Sequence, residues 1–157
     1  MITSTSSSQV KHVVNLQKKA KLRKEEKQFV VEGVKMVSEA PADRLVKVYV
    51  SETFKADNEE FLERMNYDSI GKDVLEIVTD NVFMRMADTQ TPQGIMAVVR
   101  MSDTDLEGIL SDKRNPLLLI IENLQDPGNL GTIVRMAEGA GVTGIIMSSN
   151  TVDIYNP

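Results

Sequence analysis

The sequence predicts an α/β protein built in two parts, on three observations. Apolar segments of strand length alternate with segments of helical period through residues 28–101. A polar stretch follows, SDTDLEGILSDKRNP, and then five consecutive aliphatic residues, Leu117 to Ile121, open a strand–helix–strand unit. In order, QFVVEG reads as a strand, VKMVSEA as a helix, LVKVYVS as a strand and NEEFLERM as a helix. VLEIVTD, NVFMRMAD and GIMAVVRM continue as strand, short helix and strand. The reading therefore places one domain at residues 1–101, a linker helix at 102–115 and a second unit at 116–157.

Composition narrows the chemistry. The 157 residues are 41% hydrophobic, enough for real cores. There is no cysteine, and His12 is the lone histidine, so neither a disulfide framework nor a zinc centre is expected. No apolar run approaches the roughly 18 residues needed to cross a bilayer, and MITSTSSSQVKH lacks the apolar core of a secretory signal. A cytoplasmic location is the expectation. Met84, Met86 and Met147 read as flexible core fillers.

The formal net charge is −5, but it is unevenly spread. Residues 1–40 hold eight Lys/Arg against four Asp/Glu, leaving ten against nineteen for the remainder. Most of the positive charge lies in KHVVNLQKKAKLRKEEKQF, where Lys18, Lys19, Lys21, Arg23, Lys24 and Lys27 crowd into about three helical turns. Such a patch suits phosphates. It is equally a solvated helix face with Val13, Val14 and Leu16 as its inner side.

In the second unit, the continuous apolar run predicts a strand covered on both faces. QDPGN then turns the chain: Asp126 precedes proline, Gly128 permits positive φ, and Asn129 is placed to cap a helix running through Ala140. Leu130, Val134, Ala137 and Gly141 share the packing side, so Arg135 turns away from it. Gly141 ends the helix and VTGIIMS supplies the next parallel strand. GAGVTG matches the spacing G-x-G-x-x-G, but these glycines close a helix and enter a strand. The phosphate-binding fingerprint requires the reverse, so a dinucleotide site is rejected. Asn123, Asp126, Asn129 and Arg135 instead gather at a strand end, where open α/β sheets bind ligands.

These residues carry a resemblance. NLQDPGNLGTIVRMAEGAGV resembles the first signature motif of the SpoU (TrmH-type) RNA 2′-O-ribose methyltransferases of the SPOUT superfamily, which have a knotted α/β fold. TPQGIMAVV and SSQVKHVVNLQKKAKLRKEEKQFVVEGVKMVSEA are similar to the end and the beginning of that family's amino-terminal substrate-binding domain, which resembles a small ribosomal protein. The resemblance implies S-adenosylmethionine as methyl donor, structured RNA as partner (ribosomal or transfer RNA, ribosomal being favoured) and a homodimer. It also implies that Lys18 to Lys27 contact RNA and that Arg135 serves at the ribose 2′-hydroxyl. A guanidinium has a pKa above about 12, so the role expected of Arg135 is donor and orienter rather than base. Asn129 is expected to shape the RNA site, with Glu122 and Asn123 supporting Arg135. The sequence stops at DIYNP, whereas family members continue for roughly a hundred residues through two further motifs. The knot and the cofactor-binding residues are therefore expected outside this chain, and the chain alone is expected to be inactive. The alternative is a module that recognises structured RNA without chemistry.

Overall fold

The computed structural model describes residues 1–65, 74–103, 105–111 and 115–156. One unit, Met1–Met101 joined by Tyr155 and Asn156, contains α1 (Ser8–Lys18), α2 (Ala20–Glu26), β1 (Gln28–Glu32), α3 (Val34–Glu39), β2 (Leu45–Ser51), α4 (Glu52–Asp57), α5 (Glu59–Met65), β3 (Leu75–Val78), α6 (Asp80–Met86) and β4 (Ile95–Arg100). The second, Ser102–Ile154, contains α7 (Leu106–Leu110), β5 (Leu118–Ile121), α8 (Pro127–Gly139) and β6 (Gly144–Met147). Among the described residues, no helix is long and apolar enough to cross a membrane.

The first sheet has the order β1–β4–β2–β3, with β4 antiparallel to both neighbours and β2 parallel to β3. Side chains alternate across a strand, so β4 sends Ile95, Ala97 and Val99 to one face and Met96 and Val98 to the other. The first face is covered by α3, α4 and α5 through Val37, Phe54 and Leu62. Val10, Val13 and Leu16 of α1, with Val82, Phe83 and Met86 of α6, cover the second. The expected α/β alternation is observed, and α4 is added to it. Ser51 starts that helix, its hydroxyl accepting from the Phe54 N–H at 3.1 Å. Met86 is fully buried as expected, but Met84 is 56% exposed, because it falls on the outer side of α6.

The basic segment is not one helix. It breaks at Lys19, whose backbone is extended (φ −120°, ψ 99°), and Arg23 accounts for the break. The Arg23 Nη1 donates to the carbonyls of Leu16 and Gln17, both at 2.7 Å, the acceptors that Ala20 and Lys21 N–H groups would take in a continuous helix. Its Nη2 donates to Asn156 Oδ1 at 3.2 Å. At 2% exposure, Arg23 is withdrawn from the surface and leaves the RNA-facing set that the sequence suggested. Lys18, Lys19, Lys21, Lys24 and Lys27 are all exposed. Nearby, Tyr155 sets its ring 4.7 Å from that of Phe29.

In the second unit β5 and β6 run parallel, as expected, but they form a two-stranded sheet. Among the described residues β5 is not covered on both faces: Ile120 is 72% exposed. The expected linker region supplies α7, which belongs to this unit. Its Ile109 lies so close to Gly144 that a Cβ there would sit 2.7 Å from Ile109 Cγ2, so Gly144 serves packing.

Arg23→Ala should lower the unfolding free energy by about 3 kcal/mol, since it strands two buried carbonyls and removes a buried side chain. Lys19→Ala should stay within about 0.5 kcal/mol of the parent. Urea denaturation followed by circular dichroism measures both; equal small losses would contradict the inward role of Arg23.

Candidate functional site

The turn between β5 and α8 is built by Asp126. Its extended backbone (φ −88°, ψ 118°) is what a following proline imposes, and Pro127 then occupies the first helical turn, where a missing N–H costs nothing. The Asp126 carboxylate accepts from the Asn129 N–H at 2.6 Å. The helix cap is therefore Asp126, not Asn129 as the sequence suggested, because the helix starts at the proline. Asn129 lies inside the first turn with its side chain exposed. Gly128 is helical rather than at positive φ; the left-handed positions are Asn123 (φ 53°) and, past the helix end, Gly141 (φ 75°).

Asn123 is held by a second loop. Its N–H donates to Ser148 Oγ at 2.9 Å, and its Oδ1 accepts from Gln125 Nε2 at 3.2 Å. Gln125 Nε2 also donates to the carbonyl of Asn150 at 2.6 Å, and the Val152 N–H donates to that of Leu124 at 2.8 Å. Thus the loops after β5 and β6 are stitched together. Gln125 and Ser148 were not among the expected site residues; the only sign of Ser148 in the sequence is the polar SSNT after an aliphatic strand.

Leu130 and Ala137 are buried and Val134 half-buried, so α8 packs on the predicted side. Arg135 is exposed. Its side chain runs back toward the helix start, Nη2 donating to Thr132 Oγ1 at 3.4 Å while that hydroxyl donates to the Gly128 carbonyl at 2.9 Å. The expected support from Glu122 and Asn123 is not found: among the described residues Arg135 bonds to Thr132, and Asn123 is engaged with Gln125 and Ser148. At 100° per residue, Asn129 and Arg135 face about 120° apart around α8. Both are open to a ligand, but they do not touch.

S-adenosylmethionine, the cofactor the resemblance implies, needs an enclosed pocket with polar groups at several points. The polar groups at the ends of β5 and β6 are spent on one another, and the open strand face carries Ile120 beside its cross-strand neighbour Ile146. Those strand ends thus offer little by themselves to such a ligand. His12 is half-buried, with Nε2 2.6 Å from Glu26 Oε2, and no group of residues able to hold a metal occurs among the described residues.

The MRM3-like substrate binding domain family matches residues 7–97, and the SpoU rRNA Methylase family matches residues 116–157. Human mitochondrial rRNA methyltransferase 3 is 31% identical over 154 residues, covering 92% of this chain and 34% of that protein. A 23S rRNA (guanosine-2′-O-)-methyltransferase of Haemophilus influenzae is 30% identical over 125 residues, covering 76% of this chain and 49% of the relative. The structure of an AdoMet-bound rRNA methyltransferase from Sinorhizobium meliloti superposes with a TM-score of 0.78 at 25% identity, covering 99% of this chain and 56% of that one. The chain thus spans between a third and just over half the length of these proteins. The fold is that of the SPOUT class of RNA methyltransferases. The chain belongs to the SpoU rRNA methylase family, with an MRM3-like substrate-binding domain at its front.

Because Asp126 is the cap, Asp126→Ala should cost about 1 kcal/mol of stability, and Asn129→Ala only a few tenths. Thermal denaturation of the two variants decides this. A larger loss for Asn129→Ala would restore it as the capping residue.

Proposed function

We propose that this chain holds the RNA-binding domain and the first catalytic segment of an S-adenosylmethionine-dependent RNA 2′-O-ribose methyltransferase acting on ribosomal RNA. The observation that carries the reading is the Asp126-capped turn, which presents Asn129 and Arg135 exposed on α8 within a matched SpoU segment. The printed name of the Haemophilus influenzae relative, a guanosine-2′-O-methyltransferase of 23S rRNA, supports the ribose oxygen as target. A homodimer, which rests on the family resemblance, and a cytoplasmic location, which rests on the composition of the sequence, complete the proposal.

In this reading the five exposed lysines of the α1–α2 segment hold RNA phosphates, and Arg135 meets the reacting nucleotide. The planar guanidinium donates to a ribose 2′-oxygen and its neighbouring phosphate together, which orients the hydroxyl and stabilises negative charge as it develops there. The bond to Thr132 is long, so turning Arg135 toward RNA gives up little. In this reading the 157 residues by themselves bind RNA without transferring methyl groups. The exposed lysines, which would hold phosphates with no chemistry, also suit a second reading, a non-catalytic RNA-binding module.

Two measurements test this. Reversing Lys18, Lys19 and Lys24 to Glu should weaken binding of a structured ribosomal RNA fragment at least about tenfold and flatten its salt dependence, since each phosphate contact releases counterions. Arg135→Ala should leave RNA affinity within about threefold, most phosphate contacts lying elsewhere. Calorimetric titration with S-adenosylmethionine should give no heat of binding; micromolar affinity would show that the cofactor site lies within these residues after all.

A further inference from the structure

The first unit carries, at the end of its sheet away from the lysines, a cavity of about 310 Å³ whose walls belong to two interlocked loops. Gly33 closes β1 at φ +95°, a conformation that side chains rarely allow, and a Cβ there would meet Gln93 Oε1 at 3.0 Å. That oxygen accepts from the Val34 N–H at 2.8 Å. From the other side the Glu32 carboxylate accepts from the Asp88 N–H at 3.1 Å and from the Thr89 hydroxyl. The loop between α6 and β4 is therefore pinned at two points, and the cavity is preformed.

What faces the open space is a mixed set. Lys35 is an exposed cation, Met36 a flexible apolar side chain left 51% exposed, and Thr91 and Gln93 offer a hydroxyl and an amide. The Glu32 carboxylate keeps its charge while accepting from its two donors, and Lys35 in the same lining offsets it. A cation, an apolar platform and neutral hydrogen-bonding groups together match one unpaired nucleotide: phosphate, base face and base edge. The volume lies at the small end of the ligand-pocket range of about 300–1,000 Å³. An adjacent cavity of about 330 Å³ shares Gln93 but is lined by the carboxylates of Asp57 and Asp80 with no cation to offset them, which disfavours a phosphate-bearing ligand.

We propose that the cavity between Gly33 and Thr91 receives a single unpaired RNA nucleotide, recognised by Lys35, Met36, Thr91 and Gln93. The proposal rests on the reading of this domain as RNA-binding and adds to it a point of selection distinct from the lysine-rich segment. Lys27 precedes β1 and Gly33 follows it, so the two sites stand about 20 Å apart at about 3.3 Å per strand residue. A paired base stays stacked in its helix and cannot enter; a loop or bulge nucleotide can.

The test compares the full chain with the variants Met36→Ala/Thr91→Val, at two exposed positions, and Lys18→Glu/Lys19→Glu/Lys24→Glu. Each is titrated by fluorescence anisotropy with a hairpin RNA that has an unpaired loop and with a fully paired duplex of equal length, at several salt concentrations. The cavity variant should lose about tenfold in hairpin affinity, the scale of one lost base contact, with duplex affinity and salt slope unchanged. The lysine variant should lose affinity for both RNAs. Equal losses on hairpin and duplex, or no loss, for the cavity variant would overturn the nucleotide site while leaving the RNA-binding reading intact. No binding of either RNA by the parent chain would overturn that reading itself. As a second measure, the four ribonucleoside 5′-monophosphates at millimolar concentration should move the NMR amide signals of Lys35, Met36 and Thr91; unmoved signals count against the site.

Discussion

Five consecutive residues of β4, Ile95 to Val99, divide between two hydrophobic cores, and each is at most 3% exposed. A strand buried on both faces must have partners on both edges, because its N–H and C=O groups have no water to turn to. β1 and β2 supply those partners, and both run antiparallel to β4. From this follows the arrangement of the two ends of the sheet. Where β4 finishes, the Met101 N–H donates to the carbonyl of Lys27, so the lysine-bearing segment is anchored there. Where β4 starts, Gly94 at φ +88° passes beside Phe54 and Ser51, so close that a Cβ would meet Phe54 Cβ at 2.7 Å. The loop before it consequently lies against the ends of β1 and β2.

The same economy of backbone bonds governs the charged side chains. Arg23 and Lys24 are neighbours in a basic run, yet one is buried and the other exposed. The buried position is tenable because the fixed fork of a guanidinium reaches two carbonyls at once, while its delocalised charge is weakly hydrated. A lysine would present a compact, strongly hydrated charge in that place. In the second unit a carboxylate performs the matching task at a helix start, Asp126 satisfying an N–H that α8 leaves without a partner.

Sequence periodicity was a good guide wherever a residue's neighbours along the chain determine its surroundings. β1, β2 and β4 lie where the apolar runs placed them, α8 buries Leu130 and Ala137, and Gly141 follows its end. It failed where a distant group decides. Nothing local distinguishes Arg23 from the lysines, since its acceptors lie six and seven residues back and its third partner is Asn156. Asp126 and Asn129 are both good capping residues, and the choice between them depends on Pro127 being the first residue of the helix. The aliphatic run of β5 implies cover on both faces, which the described strands do not provide for Ile120. The pairing of Asn123 with Ser148 joins residues 25 apart and is invisible to any local pattern.

Charge separation bears on how such a domain recognises RNA at all. The whole chain is negative, and residues beyond 40 carry ten Lys/Arg against nineteen Asp/Glu, so the densest positive charge lies in the α1–α2 segment. At physiological ionic strength electrostatic influence decays over about 8 Å. The far end of β1, about 20 Å away, lies beyond two such lengths, so the lysines cannot draw RNA onto it through the field. Contacts there add little to the rate of encounter, and they act only after the RNA has docked and only if its shape reaches them. In the proposed reading, electrostatic affinity therefore comes mainly from one end of the sheet. Discrimination among RNAs would then fall to contacts that depend on shape, at the pinned loops around Gly33 and at the turn that exposes Arg135, neither of which depends on a dense field of positive charge.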